Sequence, residues 1–251
     1  MEPNQYRYMF EAEDRHWWYV ANQERFLDLL KRHRLIRPGM KVLDAGCGTG
    51  RWLQVLTSAA PIEETGIDYS PLAIEMAKTR GPLHLEHGDL KTYPFPDSSF
   101  DLITSFDVIC NINIEDEKMV QHFHHLLKDE GHLLMSLPAF KFLMGKHDRL
   151  VHQNKRYRLK TVKTMVNDNG FEIVKITYVM SLLFPFALVK RLAEKMAGDR
   201  KKEHNEVKVP GAFINKLFLS IARLENILIR HLPLPPGLSV MVLAKKTKAI
   251  L

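Results

Sequence analysis

The residues best suited to chemistry fall into two groups. The first is Asp44-Ala45-Gly46-Cys47-Gly48-Thr49-Gly50, at the end of a short strand-like run over 41–45. Alternating glycines let the backbone turn sharply and approach a ligand closely, because no Cβ intervenes. A helix starting behind such a turn offers free N–H groups and a positive dipole end to an anionic group. Asp68 ends the next strand-like run. It lies about 20 residues on, where a parallel sheet places a carboxylate that can accept both hydroxyls of a ribose. The second group is His147, Asp148, His152, Arg156 and Tyr157. A histidine near a carboxylate is a poised base for a hydroxyl, phenol or ammonium proton. An arginine can clamp a carboxylate or phosphate. A hydrogen-bonded loop tying a cap to a sheet is the competing reading of this second cluster.

Alternating elements must hold these groups. The pattern predicts strands over 41–45, 64–68, 83–87, 100–107, 131–137, 171–178 and 239–245. Helices are expected over 49–59, 71–80, 115–128 and 159–168. Such alternation predicts a parallel sheet with helices on both faces. Ser70-Pro71 reads as a helix N-cap followed by proline at the first position, and Gly131 as the left-handed residue that ends helix 115–128. Upstream, 4–35 reads as one or two helices, closed by Arg37-Pro38-Gly39. His16-Trp17-Trp18-Tyr19 within this arm is either a hydrophobic edge that pins it or a lid of rings that excludes water from a site.

Further motifs match the same layout: Gly66-Ile67-Asp68-Tyr69-Ser70, Gly88-Asp89-Leu90 and Pro96-Asp97-Ser98-Ser99-Phe100-Asp101-Leu102-Ile103. With the glycine turn, they resemble the motifs of class I S-adenosylmethionine-dependent methyltransferases, of the bacterial methyltransferase-11-like biosynthetic type. The likeness is strong over 38–140. It implies a Rossmann-like, seven-stranded, mostly parallel sheet. The implied organisation is an N-terminal helical lid (1–37), an α/β core (38–178), a helical cap insertion (179–238) and a last core strand (239–251). The implied cofactor is S-adenosylmethionine, with S-adenosylhomocysteine as product and no metal. Asp44, Gly46, Cys47 and Gly48 would surround the methionine end, flanked by Phe106 and Asp107. Asp68 would hold the ribose and Tyr69 would pack near the adenine. Asp89 would bond the adenine amino group, with Leu90 as a backbone donor. His147, Asp148 and His152 are the catalytic candidates, and Trp17, Trp18, Asn111, Arg156 and Tyr157 the acceptor-binding ones. Many relatives carry Glu-His or His-His after the fourth strand. Here the chain reads Asp107-Val108-Ile109-Cys110-Asn111-Ile112, so a histidine base is absent there. A nicotinamide site fits less well, because the third glycine comes too early for G-x-G-x-x-G.

The implied reaction is methyl transfer to an oxygen or nitrogen nucleophile of a small-molecule, lipid-linked or peptide biosynthetic intermediate. The alternative is a non-catalytic binding or scaffold protein. The intact glycines and Asp68 argue against it. The 251 residues suit one sizeable core with an appended segment, and the net charge of +7 weakly favours anionic partners. No basic stripe points to nucleic acid, and Arg200-Lys201-Lys202, followed by Glu203, reads as a solvated loop. Cys47 and Cys110 form no disulfide framework; Cys110 is expected at the end of a buried strand. With a polar, acidic start and no signal peptide, the chain reads as cytoplasmic. His122-Phe123-His124-His125 suggests a metal at first sight. On a helix whose apolar face is Val120, Phe123 and Leu127, however, His124 and His125 fall on the wet side.

The insertion 179–238 carries Phe213, Leu217, Ile221, Leu224 and Leu228 on one helical face. That face is expected to pack on its own core. The sharper alternative is an apolar tunnel or a peripheral membrane contact for a lipid-like substrate.

Overall fold

The structure, a computed structural model, describes residues 1–196 and 208–247. Two helices, α1 (Pro3–Ala12) and α2 (Trp17–Arg32), precede the sheet. Strands β1 (Lys41–Ala45), β2 (Glu63–Asp68), β3 (Leu85–His87), β4 (Phe100–Phe106) and β5 (Leu127–Pro138) follow. They are connected by α3 (Arg51–Ala59), α4 (Pro71–Lys78) and α5 (Asp116–Leu126). After β5 come the short α6 (Lys146–Leu150), then α7 (Leu159–Asp168) and β6 (Phe171–Val179). Helices α8 (Phe184–Met196) and α9 (Ala212–Ile229) precede β7 (Ser239–Lys246).

The seven strands form one sheet in the order β3-β2-β1-β4-β5-β7-β6, with β7 antiparallel to both its neighbours and the other pairings parallel. Chain order reverses between β1 and β4, and that switch point opens a crevice at the carboxyl ends of the strands. Strand residues alternate between the two faces. On β7, Val240, Val242 and Ala244 join Phe123, Val162 and Val166 of α5 and α7. Met241 and Leu243 join Phe26, Leu30, Trp52, Leu56 and Ile229 of α2, α3 and α9 on the opposite face. Both faces are therefore covered, as a mostly parallel sheet requires.

Ser70 caps α4, its Oγ accepting from the Ala73 N–H at 3.3 Å, with Pro71 in the first turn. Four expectations need correction. Helix α5 stops at Leu126 and β5 begins at once; the left-handed residue is Glu130 (φ 66°), not Gly131. A strand reaching back to Leu127 leaves no room for a helical C-cap motif. Cys110 is buried in a turn beyond β4, where its thiol donates to the Asp107 carbonyl at 3.2 Å. His124 is half-buried, edge-on to Phe171 at 5.2 Å, because α5 leans on the start of β6. Finally, α9 packs through Ala222, Glu225 and Ile229, while Phe213, Leu217 and Leu224 stay exposed. Apolar spacing marked the stripe, but small Ala222 and the ion-paired Glu225 fit closer against α2.

That contact is built on a buried polar knot. Glu225 pairs with Arg25 of α2 at 3.3 Å and accepts the Met180 and Leu182 N–H groups at 2.5 and 2.9 Å. Arg25 also donates to Asn22. The Arg200-Lys201-Lys202 run lies outside the described residues.

Candidate active site

The crevice holds a cavity of about 1520 Å³, larger than the roughly 300–1,000 Å³ of ordinary ligand sites. Its floor is made by the ends of β1, β2 and β4 and by the loop after β3. Its roof is made by α1 and α2.

The loop after β1 is held by the Gly46 and Cys47 N–H groups, both donating to the Ile67 carbonyl at 2.9 Å. Gly46 adopts φ 85°, and a Cβ there would collide with Val108. Only glycine meets both demands without strain. The next turn aims the Gly48 N–H at Asp68 Oδ2, 2.9 Å away. Asp68 Oδ1 accepts from the Ser70 N–H at 2.9 Å and from the Tyr6 hydroxyl at 3.2 Å. Burial raises the Asp68 pKa, opposed by these hydrogen bonds. The carboxylate is thus fixed in direction by two backbone donors, and Tyr6 occupies the kind of position a ribose hydroxyl would take.

Asp44 is buried beneath the loop. Its Oδ1 accepts from Thr104 Oγ at 2.7 Å, and Thr104 accepts from Trp52 Nε1 at 3.2 Å. Burial pushes its carboxyl up to about 7. Asp107 stands at the end of β4 with φ 57°. Its Oδ1 is buried without a hydrogen-bond partner, and Asp107 lines the cavity. Burial pushes this carboxyl up to about 7, with Arg156 pulling the other way. A buried, unpartnered acceptor on a cavity wall is a docking point for a cation or a donated proton.

Beside it, Phe106 stacks on Phe26 at 4.2 Å and meets Trp52 edge-on at 5.5 Å. Cys47 and Leu90 are buried at the wall. Asp89 lines the wall and accepts the Lys91 N–H at 3.0 Å. Tyr69 lies at the rim, largely exposed.

The second cluster is only partly brought to the cavity. His147, His152, Arg156 and Asn111 line it. Asp148 is buried and accepts from Arg156 Nε and from the Gly145 N–H, at 2.8 and 2.7 Å. Arg156 donates in addition to the Ala139 carbonyl at 2.9 Å. This arginine therefore braces the loop rather than reaching out as a clamp. Tyr157 is turned into the core, its hydroxyl donating to Asp116 at 3.1 Å. The Ala139–Tyr157 bridge draws this segment against the end of β5 and turns the ring inward. His152 faces Glu2 at 3.2 Å.

The aromatic arm packs on its own protein and also borders the crevice. Trp17 meets Phe218 of α9 edge-on at 5.4 Å, which pins α2 to α9. Trp17, Trp18 and Tyr19 also line the cavity. His16 caps α2, accepting the Trp18 N–H at 3.2 Å, and burial pulls its pKa down to about 4.

The sequence reading missed Tyr6, Thr104 and the clamp of Arg80 on Glu13 and Asp14, at 2.5 and 3.1 Å, which holds α1 over the glycine loop. No local pattern marks these residues. Their partners lie far away in the chain, and only the crossing of α1 over β1 and β2 unites them. Among the described residues, no group of three or more His, Cys, Asp or Glu could hold a metal ion.

Residues 42–131 match the model of a methyltransferase domain family. The demethylmenaquinone methyltransferase of Staphylococcus aureus (strain MRSA252) is 43% identical over 75 residues, 28% of this chain and 31% of that protein. The chain thus matches less than a third of the length of such curated relatives. An S-adenosylmethionine-dependent methyltransferase of Thermotoga maritima, a possible histamine N-methyltransferase, superposes with a TM-score of 0.61 at 16% identity. That match covers 97% of this chain and 96% of the other. A putative sarcosine dimethylglycine methyltransferase from Galdieria sulphuraria gives 0.60 at 13% identity, over 91% and 86% of the two chains. The fold is that of the class I S-adenosylmethionine-dependent methyltransferases. Within it, the match to the methyltransferase domain family spans residues 42–131.

Proposed function

We propose that this protein transfers a methyl group from S-adenosylmethionine to an oxygen or nitrogen nucleophile on an acceptor with a large apolar part. The observation that carries the reading is the placement of Asp68. Its carboxylate is aimed by the Gly48 and Ser70 N–H groups at the mouth of the glycine loop. The cradle fits the cofactor. Gly46 leaves the loop free of a Cβ, Asp68 suits the ribose hydroxyls, and the unpartnered Asp107 Oδ1 suits the ammonium of the methionine end. Asp44, Cys47, Gly48 and Phe106 complete that end, while Tyr69, Asp89 and Leu90 serve the adenine. Bound there, S-adenosylmethionine supplies a methyl group already activated on a sulfonium.

The chain's own work is binding, alignment and exclusion of water. Residues 1–37 act as a lid, with Trp17, Trp18 and Tyr19 shielding the crevice. Residues 38–178 and the closing strand, within 239–251, form the core, and 179–238 supply the cap. His147 and His152, which line the cavity, are in this reading the groups that receive a proton when the acceptor must lose one. Asp148 positions that segment by bracing Arg156. An apolar acceptor is favoured by lining side chains such as Leu143, Val151, Leu183, Phe186 and Phe218.

The test is transfer of labelled methyl from S-adenosylmethionine into an extract of the native host, followed by phase partition. Label in the organic phase is the expected result. Label only in water-soluble products would refute the apolar acceptor. Absence of transfer by a protein that binds S-adenosylhomocysteine would return the scaffold alternative.

Asp107 also gives a pH dependence. Its carboxyl is raised to about 7, so the charged form that attracts an ammonium is lost as pH falls through that value. Affinity for S-adenosylhomocysteine, followed by calorimetry from pH 8 to 6, is expected to decline. Asp107→Asn should weaken binding about tenfold at pH 8, the scale of one charge-assisted hydrogen bond, and flatten the decline.

A further inference from the structure

Helix α9 presents two faces of different character. One, through Ala222, Glu225 and Ile229, is buried against its own protein. The other carries Phe213, Leu217, Leu224 and Ile227, at steps of four, seven and three. These side chains are 81%, 45%, 53% and 51% exposed. At those steps they share one face of a helix, over about 21 Å of its length. Helix α8 adds Phe186, Val189 and Leu192, also largely exposed. Single exposed apolar residues need no explanation, but a continuous stripe does.

The charges that α9 itself carries beside the stripe are basic. Lys216, Arg223 and Arg230 recur every seven residues and so run beside it. The only acid on α9 is Glu225, buried in its pair with Arg25. Arg223 and Arg230 are neutralised in part by Glu24 and Asp28 of α2. Even so, residues 179–238 hold ten Lys and Arg against five Asp and Glu, most of the chain's net charge of +7. The apolar surface also runs into the cavity: Phe186 lies 6.5 Å from Phe218, and both line its wall.

We infer that the outer face of α9, with the neighbouring side of α8, docks on a bilayer surface rich in anionic lipid. An apolar stripe with a basic edge is the pattern of a helix lying in the plane of a membrane interface. Anionic headgroups complement the Lys216–Arg223–Arg230 edge. A second copy of this chain, meeting the same surface about a two-fold axis, would bring basic groups toward basic groups. No helix among the described residues is long and apolar enough to cross a membrane, so the contact is peripheral. In this orientation the mouth beside Phe186 and Phe218 faces the lipid, and an apolar acceptor enters the cavity without crossing water. Bilayer docking itself does not depend on methyl transfer.

The experiment is sedimentation of the full chain with sucrose-loaded vesicles, either pure phosphatidylcholine or with about one third phosphatidylglycerol. Binding to the anionic vesicles, weakened as salt rises, is expected. The double variant Phe213→Glu, Leu224→Glu changes two exposed residues that do not line the cavity. It should lose at least tenfold in partition while keeping its thermal midpoint and its affinity for S-adenosylhomocysteine. Lys216→Glu should lose a smaller factor, restricted to anionic vesicles. Equal sedimentation of the double variant and the parent would overturn the inference. So would failure of the parent to bind either vesicle, or a dimer in solution that the double variant abolishes. Cofactor affinity is read separately, so loss of vesicle binding and failure of the methyl-transfer reading give different results.

Discussion

Asp68→Ala is expected to weaken S-adenosylhomocysteine binding by about 100-fold or more, measured by calorimetry, and to reduce methyl transfer in parallel. The carboxylate offers its two oxygens to a ribose, and each hydrogen bond to a charged group contributes about 1.5–3 kcal/mol. The loss is larger than for a lone surface acid because the group is preorganised. The Gly48 and Ser70 N–H groups already hold both oxygens in direction, so little ordering remains to be done on binding. Truncation also leaves those donors without their acceptor. The Tyr6 hydroxyl, 3.2 Å from Oδ1, competes for the same carboxylate. Tyr6→Phe should therefore leave affinity unchanged or improve it. An Asp68→Ala protein that binds S-adenosylhomocysteine like the parent would remove the basis of the proposed cofactor site.

The largest effect on stability is expected at Glu225→Ala. Removing one partner of a buried ion pair costs about 3–5 kcal/mol, because the other charge stays buried and unmatched. Here the remaining charge is Arg25, essentially inaccessible between α2 and α9. The Met180 and Leu182 N–H groups lose their acceptor as well. For a protein of this size the midpoint of thermal unfolding should fall by about 10 °C. The double change Arg25→Met, Glu225→Leu removes both charges and should recover much of that loss, since apolar replacement of a buried pair is often neutral or better. Urea unfolding of the parent and the two variants measures the loss and its recovery. A fall of less than about 1 kcal/mol for Glu225→Ala would mean that water reaches the Arg25 guanidinium.

These two positions differ in how far the sequence announces them. Asp68 was legible because its place depends on short-range facts: a glycine turn, an apolar strand and the spacing between them. The parallel sheet converts that spacing into proximity, and the β1–β2 register sets Asp44 opposite Gly66 at the mouth of the crevice. Glu225 was not legible. On α9 it looks like a solvent-facing acid beside an apolar stripe, and the stripe looks like the buried face. The choice between faces is made by what α2 presents, a buried Arg25 and a close-packing surface for Ala222, and neither can be inferred from α9 alone.

The same division runs through the site. Local chemistry by itself determined the strand–turn–helix cradle, the cap at Ser70 and the carboxylates at strand ends. Backbone conformation and alternating burial are properties of a few neighbouring residues. Only tertiary structure decided that Tyr6 reaches Asp68, that Thr104 and Trp52 orient Asp44, that Tyr157 turns inward and that Asp148 and Arg156 brace one another. Each of these depends on elements distant in the chain competing for one buried donor or acceptor. Such competition is settled by the whole packed arrangement, because a buried polar group takes whichever partner the fold brings within reach.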